Sequence, residues 1–291
     1  MRKLFSILFI LFLVVLNAPA QNSPETYRLY DAKGKAISYE KMINELAKED
    51  VVFFGEMHNC PITHWLEYKV LESLYQAHKG NLDVGMEMFE TDNQLIIDEY
   101  LNGTIKASQF EDECRLWPNY STDYKPIVDF VDEHHLRLIA TNVPRRYANI
   151  VKYHGLTYLD SLSAEAKTYM PKLPIPYKTN EQADQAFSLM AMMGKTKNTN
   201  PKFLGQSQGL KDATMAWFIA KNMKRPFIHF NGNYHTDAND GIIRYLNIYR
   251  PKTKFKTIYS VKQENINRLD STYLGHGDYY ICIPEDMVTT Y

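Results

Sequence analysis

The sequence predicts an α/β fold, a mostly parallel sheet with helices on both faces plus a small helical lid or insertion. Three observations carry this. Short apolar, β-branched runs alternate with segments of helical period along most of the chain. A β-α-β-α order of that kind implies parallel strands covered on both faces. The chain has 291 residues, 45% hydrophobic and 23% charged, enough to bury a large core.

The elements follow in order. Arg2 and Lys3, the apolar Leu4 to Leu16 and the Ala18-Pro19-Ala20 step read as a secretory leader, residues 1–20, so the mature chain is expected to start at Gln21. The apolar run is too short to span a bilayer comfortably. Gln21, not cysteine, follows Ala20, so no lipobox is present. The protein is therefore expected to be exported, to a periplasm or the cell envelope. Strands are predicted at Val51–Gly55, Leu82–Met88, Leu136–Thr141, Pro226–Asn231, Lys256–Val261 and Asp278–Ile283. Helices are predicted at 38–48 with a Ser38 cap, at 61–78 with Pro61 in the first turn, and at 91–101, 121–134, 145–153 and 205–223. Residues 163–204 break the alternation with Pro171, Pro174 and Pro176, an amphipathic 181–193 and a polar linker. We read them as the helical insertion, and 21–162 with 205–291 as the core domain. The Phe187, Met190 and Met193 face would pack on the body or wall a flat apolar ligand.

Net charge is −1, or −3 without Arg2 and Lys3, so nothing argues for nucleic acid or an anionic membrane surface. The 21 tyrosines offer apolar area with a polar tip, suited to core, strand surface or pocket. Cys60, Cys114 and Cys282 fit neither a zinc knuckle nor a redox pair.

The most informative motif is a pair. Gly55-Glu56-Met57-His58 and Gly232-Asn233-Tyr234-His235 each follow a strand-like run. In an open parallel sheet, ligands bind outside the carboxyl ends of the strands. That edge is expected to gather Glu56 and His58, Glu87 and Glu90, Asn142 with Arg145 and Arg146, and Asn231, Asn233 and His235. Four strand ends carrying such groups are hard to explain by packing alone. Gln208 and Asp212 share a helix face at i, i+4, where Asp212 can orient an imidazole. His64 stands in the first turn of its helix, facing either this edge or solvent. His276, between Gly275 and Gly277, is expected in a hairpin loop.

At these residues the chain resembles the ChaN-like haem-binding family of the wider Tiki/TraB/erythromycin-esterase-like superfamily. The matching segments are Gly55-Glu56-Met57-His58 with His64, Gly85-Met86-Glu87-Met88-Phe89, Asn142-Val143-Pro144-Arg145, the 208–216 run through Asp212, and Asn231 to His235 with Gly241-Ile242. The resemblance implies an exported protein that binds haem and serves iron uptake. Haem needs an apolar slot, an axial ligand and basic groups for its propionates. Tyr177, His154 and Met190 are candidate ligands, and Arg145, Arg146 and Lys178 candidate propionate partners. No Cys-x-x-Cys-His run exists, which excludes c-type attachment. A homodimer holding haem between subunits and an outer-membrane uptake partner are further expectations. The alternative is a metal-dependent hydrolase. Glu56, His58, Glu87 and His235 would then hold Zn, Mn or Fe or supply a general base, supported by His64, Asn142, Gln208 and Asp212. A metal-free esterase variant would use His58 or His235 as base.

Overall fold

The computed structural model describes residues 25–179 and 201–291. The leader, the 181–193 segment and Met190 lie outside the described residues. Seven strands form one sheet among them: β1 (Arg28–Asp31), β2 (Val51–Glu56), β3 (Asp83–Glu90), β4 (Arg137–Asn142), β5 (Phe227–Gly232), β6 (Phe255–Gln263) and β7 (Tyr279–Pro284). Their order is β1-β7-β6-β2-β5-β3-β4. Only the β1–β7 pairing is antiparallel. The mostly parallel sheet is as the sequence predicts, and all six predicted strands are present. The edge strand β1 went unpredicted because its four residues show no apolar alternation long enough to stand out.

Strand β2 shows why the sheet is covered twice. Val51 and Phe53 sit in one core cluster and Val52 and Phe54 in another, on opposite faces of the same strand. A strand buried on both faces reads as a continuous apolar run, as this one does. Against one face lie α1 (Tyr39–Leu46), α2 (Pro61–Ala77), α3 (Gln94–Leu101), α4 (Ala107–Glu113) and α5 (Lys125–Glu133), which give Met42, Leu66, Ile97, Phe110 and Val128 to one cluster. Against the other lie α6 (Arg145–His154), the single turn α7 (Ala164–Lys167), α8 (Pro201–Asn222) and α9 (Ile242–Tyr249), contributing Val151, Ala166, Leu210 and Leu246 to a second. From the predicted insertion, Ala166, Met170 and Ile175 pack into this second core.

Two helix starts position the site. Helix α2 opens with Pro61 in its first turn, where a missing N–H costs nothing. Its buried stripe is apolar at Leu71 and Leu74 but polar at Thr63, His64 and Glu67 in the first two turns. The stripe thus carries ionisable groups inward beside the end of β2. Helix α9 follows Gly241, whose φ of +56° lets the chain turn out of the 233–239 segment.

Candidate functional site

The two glycine-x-x-histidine steps interlock. Strands β2 and β5 are neighbours, with Gly55 opposite Asn231 and Glu56 opposite Gly232. A Cβ on Gly55 would lie 2.6 Å from Asn233 Oδ1 and 2.7 Å from the Ile258 carbonyl oxygen. A Cβ on Gly232 would lie 2.7 Å from His58 Nε2. Each glycine therefore makes room for a side chain of the other step. Asn233 is fixed in turn: its Nδ2 donates to Ser260 O at 2.7 Å, and Ser260 N donates to its Oδ1 at 3.0 Å.

Two carboxylate–imidazole clusters flank this junction. In the first, Glu56 Oε1 accepts from His58 Nδ1 at 2.5 Å and from the buried Tyr124 hydroxyl at 2.9 Å. Its Oε2 lies 3.0 Å from His64 Nδ1. His64 is buried, not solvent-facing, and Glu67 Oε2 also lies 3.0 Å from its Nδ1. In the second, Glu87 Oε1 lies 3.1 Å from His235 Nε2 and Asp212 Oδ1 is 2.5 Å from His235 Nδ1. The other oxygen of Glu87 accepts from Gly232 N at 2.8 Å.

Burial and pairing oppose each other in both clusters. Burial would raise Glu56 and Glu87, but the neighbouring imidazoles hold both below the ordinary carboxylate range. Burial would lower His64 and His235, yet the carboxylates push them up to about 11 and about 10. Glu67 is raised, by burial and by the charge of Glu56. His229, on β5, goes the other way: burial lowers it to about 4, so it is a neutral core residue bonded to Thr141 and Asn231.

The predicted residues are not all brought together. No three of Glu56, His58, Glu87 and His235 have donor atoms within 4.8 Å of one another, because each carboxylate is drawn to its own imidazole; the described set that meets this distance is Glu56, His64 and Glu67. Asn142 donates to the Glu87 carbonyl at 3.1 Å, and the buried Oε1 of Gln208 has no hydrogen-bond partner. Arg145 pairs with Glu90 and Arg146 with Asp92. His154 is exposed and stacks on Tyr158 at the far end of α6. Tyr177 and Asp212 line a cavity of about 280 Å³ with Lys178, Tyr234, Arg244 and His276. His154, Arg145 and Arg146 do not line it.

Sequence reasoning missed Glu67, Tyr124, Arg244 and His276. Glu67 had a signal, since it is three residues after His64 on one helix face. His276 had none: it reaches the cavity through a loop held by Asp237, 2.5 Å from its Nδ1.

A pH effect follows. The raised His235 contributes stability that is complete below about 6.5, its ordinary value, and is lost as pH rises through about 10. The lowered Glu87 contributes above about 4.5 and loses its part as pH falls below that. The stability difference between wild type and His235→Gln should therefore be flat near pH 5–6 and shrink steadily toward pH 10. Urea unfolding across that range checks it; a difference that grows above pH 7 would contradict the pairing.

The chain is similar to known proteins. A family model described as haem-binding uptake, Tiki superfamily, ChaN, matches residues 42–246. In structure the chain is similar to ChaN of Campylobacter jejuni, a protein that binds haem cofacially, with a TM-score of 0.67 and 21% identity over 91% of this chain and 97% of that one. It is also similar to a succinoglycan biosynthesis protein, with a TM-score of 0.50 and 11% identity over 84% and 89% of the two chains. No curated protein matches it significantly in sequence.

Proposed function

The chain belongs to the ChaN family of haem-binding uptake proteins in the Tiki superfamily, and from that premise we propose that it is an exported haem-binding protein serving haem and iron uptake. The match over residues 42–246 carries the reading, since it runs from before β2 into α9 and includes both glycine-x-x-histidine steps. Export rests on the basic, apolar and A-x-A leader.

The crevice beside Asp212 suits the group by its donor chemistry. Tyr177 and His276 offer oxygen and nitrogen ligands of the kinds haem iron takes. Lys178 and Arg244 offer cations for the propionates. They replace Arg145 and Arg146, which do not line the cavity; Arg244 reaches it while paired with Asp240. A cavity of about 280 Å³ falls just below the usual range of enclosed small-molecule sites, roughly 300–1,000 Å³. The described residues alone would therefore leave part of a haem uncovered, and we take a second copy of the chain as the partner that completes the cover.

Haem bound here would supply iron as cargo or redox centre; the chain's own part is to hold it. We take Tyr177 as the iron ligand. Titrating the mature chain with hemin should shift the Soret band, and Tyr177→Phe should weaken binding by at least about tenfold, or 1.4 kcal/mol. An unshifted Soret band in the wild type would refute haem binding. An unchanged spectrum in Tyr177→Phe with a changed one in His276→Ala would move the ligand to His276.

A further inference from the structure

We propose that Glu56, His64 and Glu67 form a buried site for one divalent cation of the Mn(II), Fe(II) or Zn(II) class, separate from the haem crevice. The three residues offer ligand atoms within 4.8 Å of one another. The imidazole is the centre of the argument. Its Nε2 lies 3.1 Å from the His58 carbonyl and 3.4 Å from Asp123 Oδ2. A carbonyl can only accept, so Nε2 carries a hydrogen. Nδ1 then faces Glu56 Oε2 at 3.0 Å and Glu67 Oε2 at 3.0 Å. A bare nitrogen lone pair against two carboxylate oxygens is repulsive, so a positive centre belongs between them. Metal-bound histidines characteristically donate the other ring N–H to a carbonyl or carboxylate, as His64 does.

Two further observations favour a metal over a proton. Glu67 Oε1 is buried with no hydrogen-bond partner, Glu56 Oε2 has only its 3.0 Å contact with His64 Nδ1, and both side chains are 0% exposed. A buried carboxylate oxygen left so is costly unless a cation takes it up. Charge points the same way. Glu56, Glu67 and Asp123 crowd His64; His58 meets only the other oxygen of Glu56, and Asn119 and Tyr124 add only neutral donors. A divalent ion would balance Glu56 and Glu67 with His64 neutral. Two carboxylates and an imidazole suit zinc, manganese or iron, whereas calcium and magnesium prefer all-oxygen sites.

The test uses the full mature chain, free of haem, stripped with a chelator and reloaded with Mn(II) or Zn(II). About one equivalent should survive gel filtration and raise the melting temperature. Glu67→Gln and His64→Gln should each weaken binding beyond the roughly 10–100-fold that loss of an outer-shell partner brings. Pulsed EPR of Mn(II) on the wild type, which needs no variant to fold, should show coupling to one imidazole nitrogen. Failure of the wild type to retain either ion would overturn the site. So would coupling to two imidazoles, or an ion lost in His235→Ala yet kept in Glu67→Gln.

Discussion

Replacing His235 with alanine is expected to cost about 3–5 kcal/mol of folding stability, the range for breaking a buried ion pair by removing one partner. His235 stands between Glu87, 3.1 Å from its Nε2, and Asp212, 2.5 Å from its Nδ1. All three are buried. Without the imidazole, two carboxylates face each other across a cavity, with the more distant charge of Lys211 left to act on both. Burial already raises Asp212 despite its imidazole neighbour, so its charge is the first to become untenable. The cost comes from stranded charge, not lost volume. His235→Gln, which keeps a donor toward one carboxylate, should therefore recover part of the loss. Urea unfolding with an unchanged m-value measures it. A loss under about 1 kcal/mol would mean the carboxylates are relieved by water or a bound cation.

The same pairing shows what a sequence can and cannot tell. Both histidines of the paired steps were legible because each follows a short apolar run and a glycine. That they meet at one sheet edge was legible as well; that β2 and β5 pair directly was not, because it depends on β5 inserting between β2 and β3, and strand order leaves no mark on local pattern. The expectation that Glu56, His58, Glu87 and His235 would share one centre treated strand ends as equivalent. Pairing instead divided them, since Glu56 also meets a helix side chain, His64. Helix spacing made Glu67 findable; the tertiary fold alone put Tyr124 on Glu56 and brought His276 to the cavity that Tyr177 also lines. The core was the most legible part, as Val51 to Phe54 show, because burial on both faces leaves an unbroken apolar run.

Alanine at the two motif glycines should have effects that separate packing from chemistry. In Gly55→Ala the new methyl meets the Ile258 carbonyl oxygen at 2.7 Å and Asn233 Oδ1 at 2.6 Å. The carbonyl belongs to β6, which pairs with β2, and Asn233 is held by two bonds to Ser260. Neither can withdraw without opening the sheet, so the expected loss is about 1–3 kcal/mol, the usual cost of overpacking. In Gly232→Ala the methyl touches Glu87 Oε2 at an ordinary 3.7 Å and clashes with the His58 imidazole, at 2.7 Å from Nε2. That side chain is 38% exposed and can swing outward, so stability should fall less. Its departure would break the 2.5 Å contact with Glu56. Burial alone would lower His58, and the Glu56 contact is the largest of the effects raising it. Its imidazole in Gly232→Ala should accordingly titrate lower than in the wild type, a shift that NMR can follow directly. A Gly232→Ala protein with His58 titrating as before would show that the glycine is there for the backbone and not for the histidine. Equal losses of stability in the two variants would show the same for the interlock as a whole, because only a yielding side chain on one side and a fixed carbonyl on the other predicts that they differ.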